Sequence, residues 1–137
     1  MRREKSCGFV AFKEEDGERL YLLIRSQRGE YGFPKGHTEP GETELETAER
    51  ELKEETNVEV ERVDGFRLQI EYMIPRRETV LKEAVYFLGR CKEGDIVCQE
   101  EEVSEAAFLR FEDALKLLPF ENTRGVLREA EGFLRRL

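Results

Sequence analysis

Histidine occurs once in this chain and cysteine three times, and no apolar run comes near the length of a membrane span. The last of these excludes a bilayer-crossing helix, which needs about 20 apolar residues. The cysteines, Cys7, Cys91 and Cys98, are odd in number and lack the paired spacing of a metal site. They are expected to be reduced thiols of a cytoplasmic protein, with Cys7 and Cys91 as small core residues. A basic stripe is missing too. The 137 residues carry a formal net charge of −8, with 39% of them charged. That balance excludes a general nucleic-acid binder and argues against long RNA as a stable partner. An anionic substrate would need local positive charge, or bound cations, against this background. No repeat, low-complexity tract or linker divides the chain, and no signal-peptide pattern follows Met1. The expectation is one domain over residues 1–137, monomeric or homodimeric, with no membrane partner.

What is present reads as alternating strands and helices. "CGFVAF" (7–12) and "RLYLLIRS" (19–26) are apolar and strand-like, joined by the turn "KEEDGE". Residues 27–42 read as a loop with four glycines and two prolines. A helix follows from Thr43 to Glu55, then long strands near 58–74 and 79–91 separated by "PRRE". "AAFLRF" (106–111) reads as a strand and "EDALKLL" (112–118) as a short helix ended by Pro119. Val126, Leu127, Ala130, Phe133, Leu134 and Leu137 recur at helical spacing over 122–137. The pattern predicts an α/β sandwich built on a mixed sheet.

Glutamate is abundant, and its placement is the informative feature. Glu42, Glu44, Glu46, Glu49, Glu51, Glu54 and Glu55 fall within fourteen residues. Thr43 and Glu46 form a capping-box pattern at the start of the helix. Leu45, Ala48 and Leu52 make its apolar stripe, and Glu46–Arg50 and Glu49–Lys53 stand at favourable i,i+4 spacing. Glu51, Glu54 and Glu55 share a sector about 100° wide that holds no basic residue of the helix. Mutual repulsion and the negative end of the helix dipole both act against them. A solvated acidic face is the ordinary account of such a sector. A divalent cation would remove both costs, and Mg²⁺ or Mn²⁺ prefers such hard oxygen ligands. The preceding loop adds a flexible backbone carbonyl as a further ligand, and Lys35 as a phosphate contact.

Gly36, five residues, Glu42, seven residues, then Arg50-Glu51-Leu52-Lys53-Glu54-Glu55-Thr56-Asn57-Val58 resembles the Nudix box. Eight of its nine specified positions match; Asn57 stands where the box has glycine. Asn is the next most tolerant residue for the left-handed helix end required there. The resemblance implies a Nudix-type α/β/α sandwich and a Mg²⁺-dependent hydrolase of a nucleoside diphosphate linked to another group. It implies Gly36, Glu51, Glu54 and Glu55 as metal ligands, with Glu42 supporting them. It also implies that Arg50 orients catalytic glutamates, whereas helix geometry by itself pairs Arg50 with Glu46.

"FPKGHTEPGETELETA", "IEYMI", "KEAVYFL" and "AFLRFEDALKLLPFEN", in that order, are similar to the asymmetric diadenosine tetraphosphate hydrolases of that family. This implies cleavage of a dinucleoside polyphosphate, with diadenosine tetraphosphate giving ATP and AMP. Lys35, His37 and Lys82 become candidates for phosphate contacts, and Tyr72 and Tyr86 for stacking on adenine. In the acidic run 99–105, Glu102 best matches a glutamate that joins the metal site and serves as general base, with Glu54 as the rival base. Another Nudix specificity stays open, such as nucleoside triphosphate sanitising or RNA 5′-end pyrophosphohydrolysis. A non-catalytic nucleotide-binding module stays open as well.

Overall fold

The computed structural model describes residues 2–74, 79–99 and 101–137. The expected "PRRE" turn and Glu100 lie outside the described residues. The elements are β1 (Arg2–Glu15), β2 (Glu18–Ser26), β3 (Tyr31–Gly32), β4 (Lys35–His37), α1 (Glu44–Thr56), β5 (Val60–Ile74), β6 (Val80–Cys91), β7 (Val103–Arg110), α2 (Phe111–Leu117) and α3 (Glu121–Arg135).

The sheet runs β3-β2-β1-β6-β5, with β4 paired to β1 and β7 paired to β2. β1 and β6 are parallel, and the other pairings are antiparallel, so the sheet is mixed. Both faces of its centre are covered, which is why β1 and β6 read as continuous apolar runs. Cys7, Phe9, Ala11, Leu22, Val85 and Phe87 pack with Ala48 and Leu52 of α1. Val10, Phe12, Tyr21, Leu23, Tyr86 and Leu88 pack with Ala114, Val126, Leu127, Ala130 and Leu134 of α2 and α3. This is the expected α/β/α sandwich. Among the described residues no helix is long and apolar enough to cross a membrane.

Two expectations are corrected. Residues 27–42 are not all loop: β3 pairs with β2, and β4 pairs with β1 through Ser6↔His37, Cys7↔Gly36 and Gly8↔Lys35. β3 folds straight back on β2 as a local hairpin, whereas β4 forms because the distant β1 supplies its ladder, a partner that no local pattern contains. Tyr86, expected to stack on a base, is only 1% exposed and packs edge-on against Phe33 with ring centroids 5.6 Å apart. Its strand is central and covered on both faces, so its ring offers no surface to a ligand.

Candidate active site

The loop–helix segment is built from its first turn. Thr43 sits in extended conformation and its hydroxyl accepts from the Glu46 N–H at 3.1 Å. The Glu46 carboxylate accepts from the Thr43 N–H at 2.9 Å, completing the capping box. Glu46 is therefore taken, and the geometric Glu46–Arg50 pairing does not form. Arg50 instead donates two bonds to the Glu42 carboxylate, at 2.6 and 3.0 Å. It also reaches Glu51 at 2.8 Å, Glu54 at 3.2 Å and the His37 carbonyl at 3.0 Å. Thr47 donates to Glu42 at 3.0 Å as well. These bonds hold the Glu42 carboxyl down at about 2, Arg50 being the largest cause. Lys53, expected on Glu49, pairs with Glu59 at 3.0 Å.

The last two turns are a different environment. Glu55 is buried, at 4% exposure, and its Oε2 has no hydrogen-bond partner. Burial, then the charges of Glu51 and Glu102, push its carboxyl up to about 8, against the opposing Lys35 N–H. Burial pushes Glu51 up too, opposed by Arg50. Gly36 lies directly under Glu51: a Cβ there would overlap the Glu51 carboxyl group. Gly8 has a similar duty one strand away, where a Cβ would collide with the Pro34 carbonyl and with Lys35. Glycine at both positions lets β4 lie close to β1 on one side and to the carboxylates on the other.

Glu102 comes to this end of α1 on a strap whose path the sequence pattern did not reveal. The N–H groups of Val97 and Gln99 bond the carbonyls of Thr56 and Glu55, at 2.9 and 3.0 Å. The Glu102 N–H then bonds the Gln99 carbonyl at 3.1 Å. The strap thus satisfies carbonyls that the helix end leaves open. Asn57 holds the left-handed conformation expected of it, with φ 64° and ψ 7°. Its side chain adds a bond of its own, from Nδ2 to the Asp95 carbonyl at 3.3 Å.

The other face of β4 carries the cations. Lys35 Nζ donates to the Tyr72 hydroxyl at 3.3 Å, with its ammonium 5.9 Å from the ring centroid. Tyr72 stands opposite Lys82 in the β5–β6 ladder, and Lys82 stands opposite Glu4 in the β6–β1 ladder. Lys82 and Glu4 are ion-paired at 3.0 Å. His37 is exposed, and its charge contributes to holding Glu4 low. Lys35, His37, Tyr72 and Lys82 therefore come together at one end of the sheet, and Tyr86 does not join them.

Among the described residues no three acidic, histidine or cysteine side chains are close enough to hold a metal as they stand. The Arg50 guanidinium bridges Glu51 and Glu54, at 2.8 and 3.2 Å. The donor set nonetheless fits Mg²⁺ or Mn²⁺. It is all oxygen, it is under-neutralised, and the Glu55 oxygen without a partner is a buried acceptor awaiting a donor or a cation.

The family model for the NUDIX domain matches residues 3–130. The chain belongs to that family. It is 30% identical to the bis(5′-nucleosyl)-tetraphosphatase [asymmetrical] of Rattus norvegicus, over 95% of each chain. It is 28% identical to the protein of that name from Caenorhabditis elegans, over 95% of this chain and 96% of the other. The crystal structure of a C. elegans Ap4A hydrolase binary complex superposes with a TM-score of 0.88 at 25% identity, covering 98% of this chain and 99% of that one. The NUDIX domain of Shewanella oneidensis NrtR, at 19% identity and a TM-score of 0.74, shares the fold.

Proposed function

We propose that this Nudix protein is a Mg²⁺-dependent hydrolase of dinucleoside polyphosphates that cleaves diadenosine tetraphosphate to ATP and AMP. The observation that carries the reading is the buried Glu55, with a partnerless oxygen, close to Glu51, whose own carboxyl group lies against Gly36. It stands in a chain that resembles the asymmetric tetraphosphatases nearly end to end. Gly36, through its carbonyl, and Glu51, Glu54, Glu55 and Glu102 would hold the metal, with Mn²⁺ as a substitute. Bound there, Mg²⁺ would supply compensation for charge on the phosphoryl oxygens and help to acidify the attacking water.

The chain's own residues do the rest. Arg50 orients Glu51 and Glu54 while its own position is fixed by Glu42. Lys35, His37 and Lys82 grip the polyphosphate, and Tyr72 offers its ring to one adenine. Glu102 takes the proton of the attacking water, with Glu54 as the alternative base. The water oxygen joins one phosphorus, the anhydride bond to its neighbour breaks, and the proton leaves through the carboxylate. One gripped end fixes which phosphorus is attacked, so the cut is asymmetric. The unpaired cysteines suit a reducing, cytoplasmic setting.

A panel of nucleotides with Mg²⁺, run in ¹⁸O-labelled water, tests this directly. The expected result is ATP and AMP from diadenosine tetraphosphate, with label in one product alone. Two ADP molecules, or faster turnover of simple nucleoside triphosphates, would reject the substrate and leave family membership standing.

A further inference from the structure

The phosphate end of the site contains a carboxylate that the reaction does not need. Glu4 points into the row formed by Lys82 and Tyr72, and its Oε1 is 3.0 Å from Lys82 Nζ. The two side chains are only 11% and 16% exposed, so the pair is screened by water far less than the other ion pairs of β1. Arg2 reaches the second Glu4 oxygen at 3.3 Å, but Arg2 is largely exposed, at 61%. The Lys82 hydrogen bond is the largest cause holding the Glu4 carboxyl below its ordinary value, against burial and with smaller help from Arg2 and His37. The charge of Lys82 is thus already compensated before any ligand arrives. A site built simply to bind phosphate as tightly as possible would leave that lysine free.

We propose that Glu4 is a specificity-determining residue, a fixed anion that disfavours a terminal phosphate group while tolerating a phosphate chain esterified at both ends. The inference rests on the assignment of Lys35, His37 and Lys82 to the phosphate chain. An internal phosphate carries one negative charge. A terminal phosphate takes up a second, with an ionisation near roughly pH 6 to 7. Next to a carboxylate a few ångströms away, in partly covered surroundings, that second charge is the one that repulsion penalises. A dinucleoside polyphosphate never presents it. ATP does, both as a product that must leave and as an abundant nucleotide that must be refused. The cross-strand pair with Glu4 also fixes the Lys82 ammonium in one place, so the lysine remains placed for the internal phosphates. Discrimination then arises by building a repulsive element against the wrong ligand rather than by tightening the grip on the right one.

The test is equilibrium binding by calorimetry, with Mg²⁺ present, to wild type and to Glu4→Gln. The probes are ATP and a methylene-bridged, non-hydrolysable analogue of diadenosine tetraphosphate. The amide keeps an acceptor for Lys82 and removes the charge. ATP is expected to bind about tenfold tighter to Glu4→Gln relative to the dinucleotide analogue, and the gain should shrink at high salt. Equal shifts for both ligands, or no shift for either, would overturn the proposal. Lys82→Met serves as the second variant. It should weaken both ligands, and unchanged affinity for both would overturn the proposal by removing Lys82 from the phosphate site. Failure of the hydrolase assignment is distinguishable, because it is read from the products of the wild-type reaction and not from this ratio.

Discussion

The two ends of α1 are built on opposite principles. At its first turn every charge has a partner. Glu44 accepts two bonds from Arg67 at 2.9 Å each and pairs with Lys5 at 2.5 Å, and Glu46 closes the capping box. At its last turns Glu55 is buried next to the half-buried Glu51, Glu102 is brought in beside them, and one Glu55 oxygen has no partner. Carboxyl groups are thus pushed down to about 2 at one end, for Glu44, and up to about 8 at the other, for Glu55. The same residue type in the same helix stabilises the fold at one end and strains it at the other. Local conflict of this kind marks the place where function overrides folding.

The largest effect that should expose the contrast is Glu55→Gln. On the proposed function, turnover is expected to fall by about 10³-fold or more, because the proposed metal ligand and its charge would be lost together. Stability should move the other way. The folded carboxyl binds a proton more tightly than the unfolded one, so stability falls as pH rises from the ordinary carboxylate range through about 8. In chelator at pH 8, Glu55→Gln should therefore melt about 3–5 °C above wild type, a gain of roughly 1 kcal/mol. At pH 4 the gain should vanish. Adding Mg²⁺ should raise the wild-type melting temperature and leave that of the variant nearly unchanged. A variant that melts lower than wild type at pH 8 without metal would remove the strained end from the comparison.

Glu102→Gln comes next. Glu102 is exposed, so its loss should change stability little, with a slight gain near pH 8 without metal, where its charge opposes the ionisation of Glu55. As the base, it should cost roughly 10²-fold in kcat with a much smaller change in KM. A wild-type kcat would transfer the role to Glu54, whose side chain is 49% exposed and already touches Arg50.

Arg67→Ala probes the satisfied end. It removes a two-pronged partner from Glu44 at a half-exposed position, and should cost about 1 kcal/mol in a urea melt. The Glu44 carboxyl, held low first by Arg67 and then by Lys5, supplies stability above the ordinary carboxylate range and loses it as pH falls toward 2. The acid-side loss of stability should therefore be shallower in Arg67→Ala. Its kcat should fall less than about threefold. A loss of tens of fold would mean that the first turn also tunes the chemistry.

Much of this helix was legible because its signals are local. Thr43 and Glu46 announced the cap, Ala48 and Leu52 the buried stripe, and Asn57 the left-handed end. What stayed hidden depends on partners far along the chain. Arg50 turned from Glu46 to Glu42, and Lys53 from Glu49 to Glu59, because the capping box and the loop geometry outbid i,i+4 spacing. Nothing near Tyr86 says that both faces of β6 are covered, whereas Tyr72, near the end of β5, stayed half-exposed beside Lys35. Nor does any local pattern in 95–99 announce that the N–H groups of Val97 and Gln99 bond the end of α1.

Asn57 joins what was legible to what was not, and supplies the smallest and most discriminating effect. Its backbone needs positive φ, and its side chain holds the strap at Asp95. These duties separate by substitution. Asn57→Val strains the helix end and should destabilise by about 1 kcal/mol or more, since a β-branched residue resists that conformation. Asn57→Gly satisfies the backbone, so its melting temperature should stay within about 1–2 °C of wild type. Glycine has no Nδ2, however. The two backbone bonds from Val97 and Gln99 remain, so the strap should stay docked but looser, and kcat should drop about two- to fivefold with KM unchanged. That range corresponds to a hydrogen bond worth about 0.5–1 kcal/mol. If Asn57→Gly matches wild type in kcat as well as in melting temperature, the backbone bonds alone position Glu102, and the amide serves only the helix end.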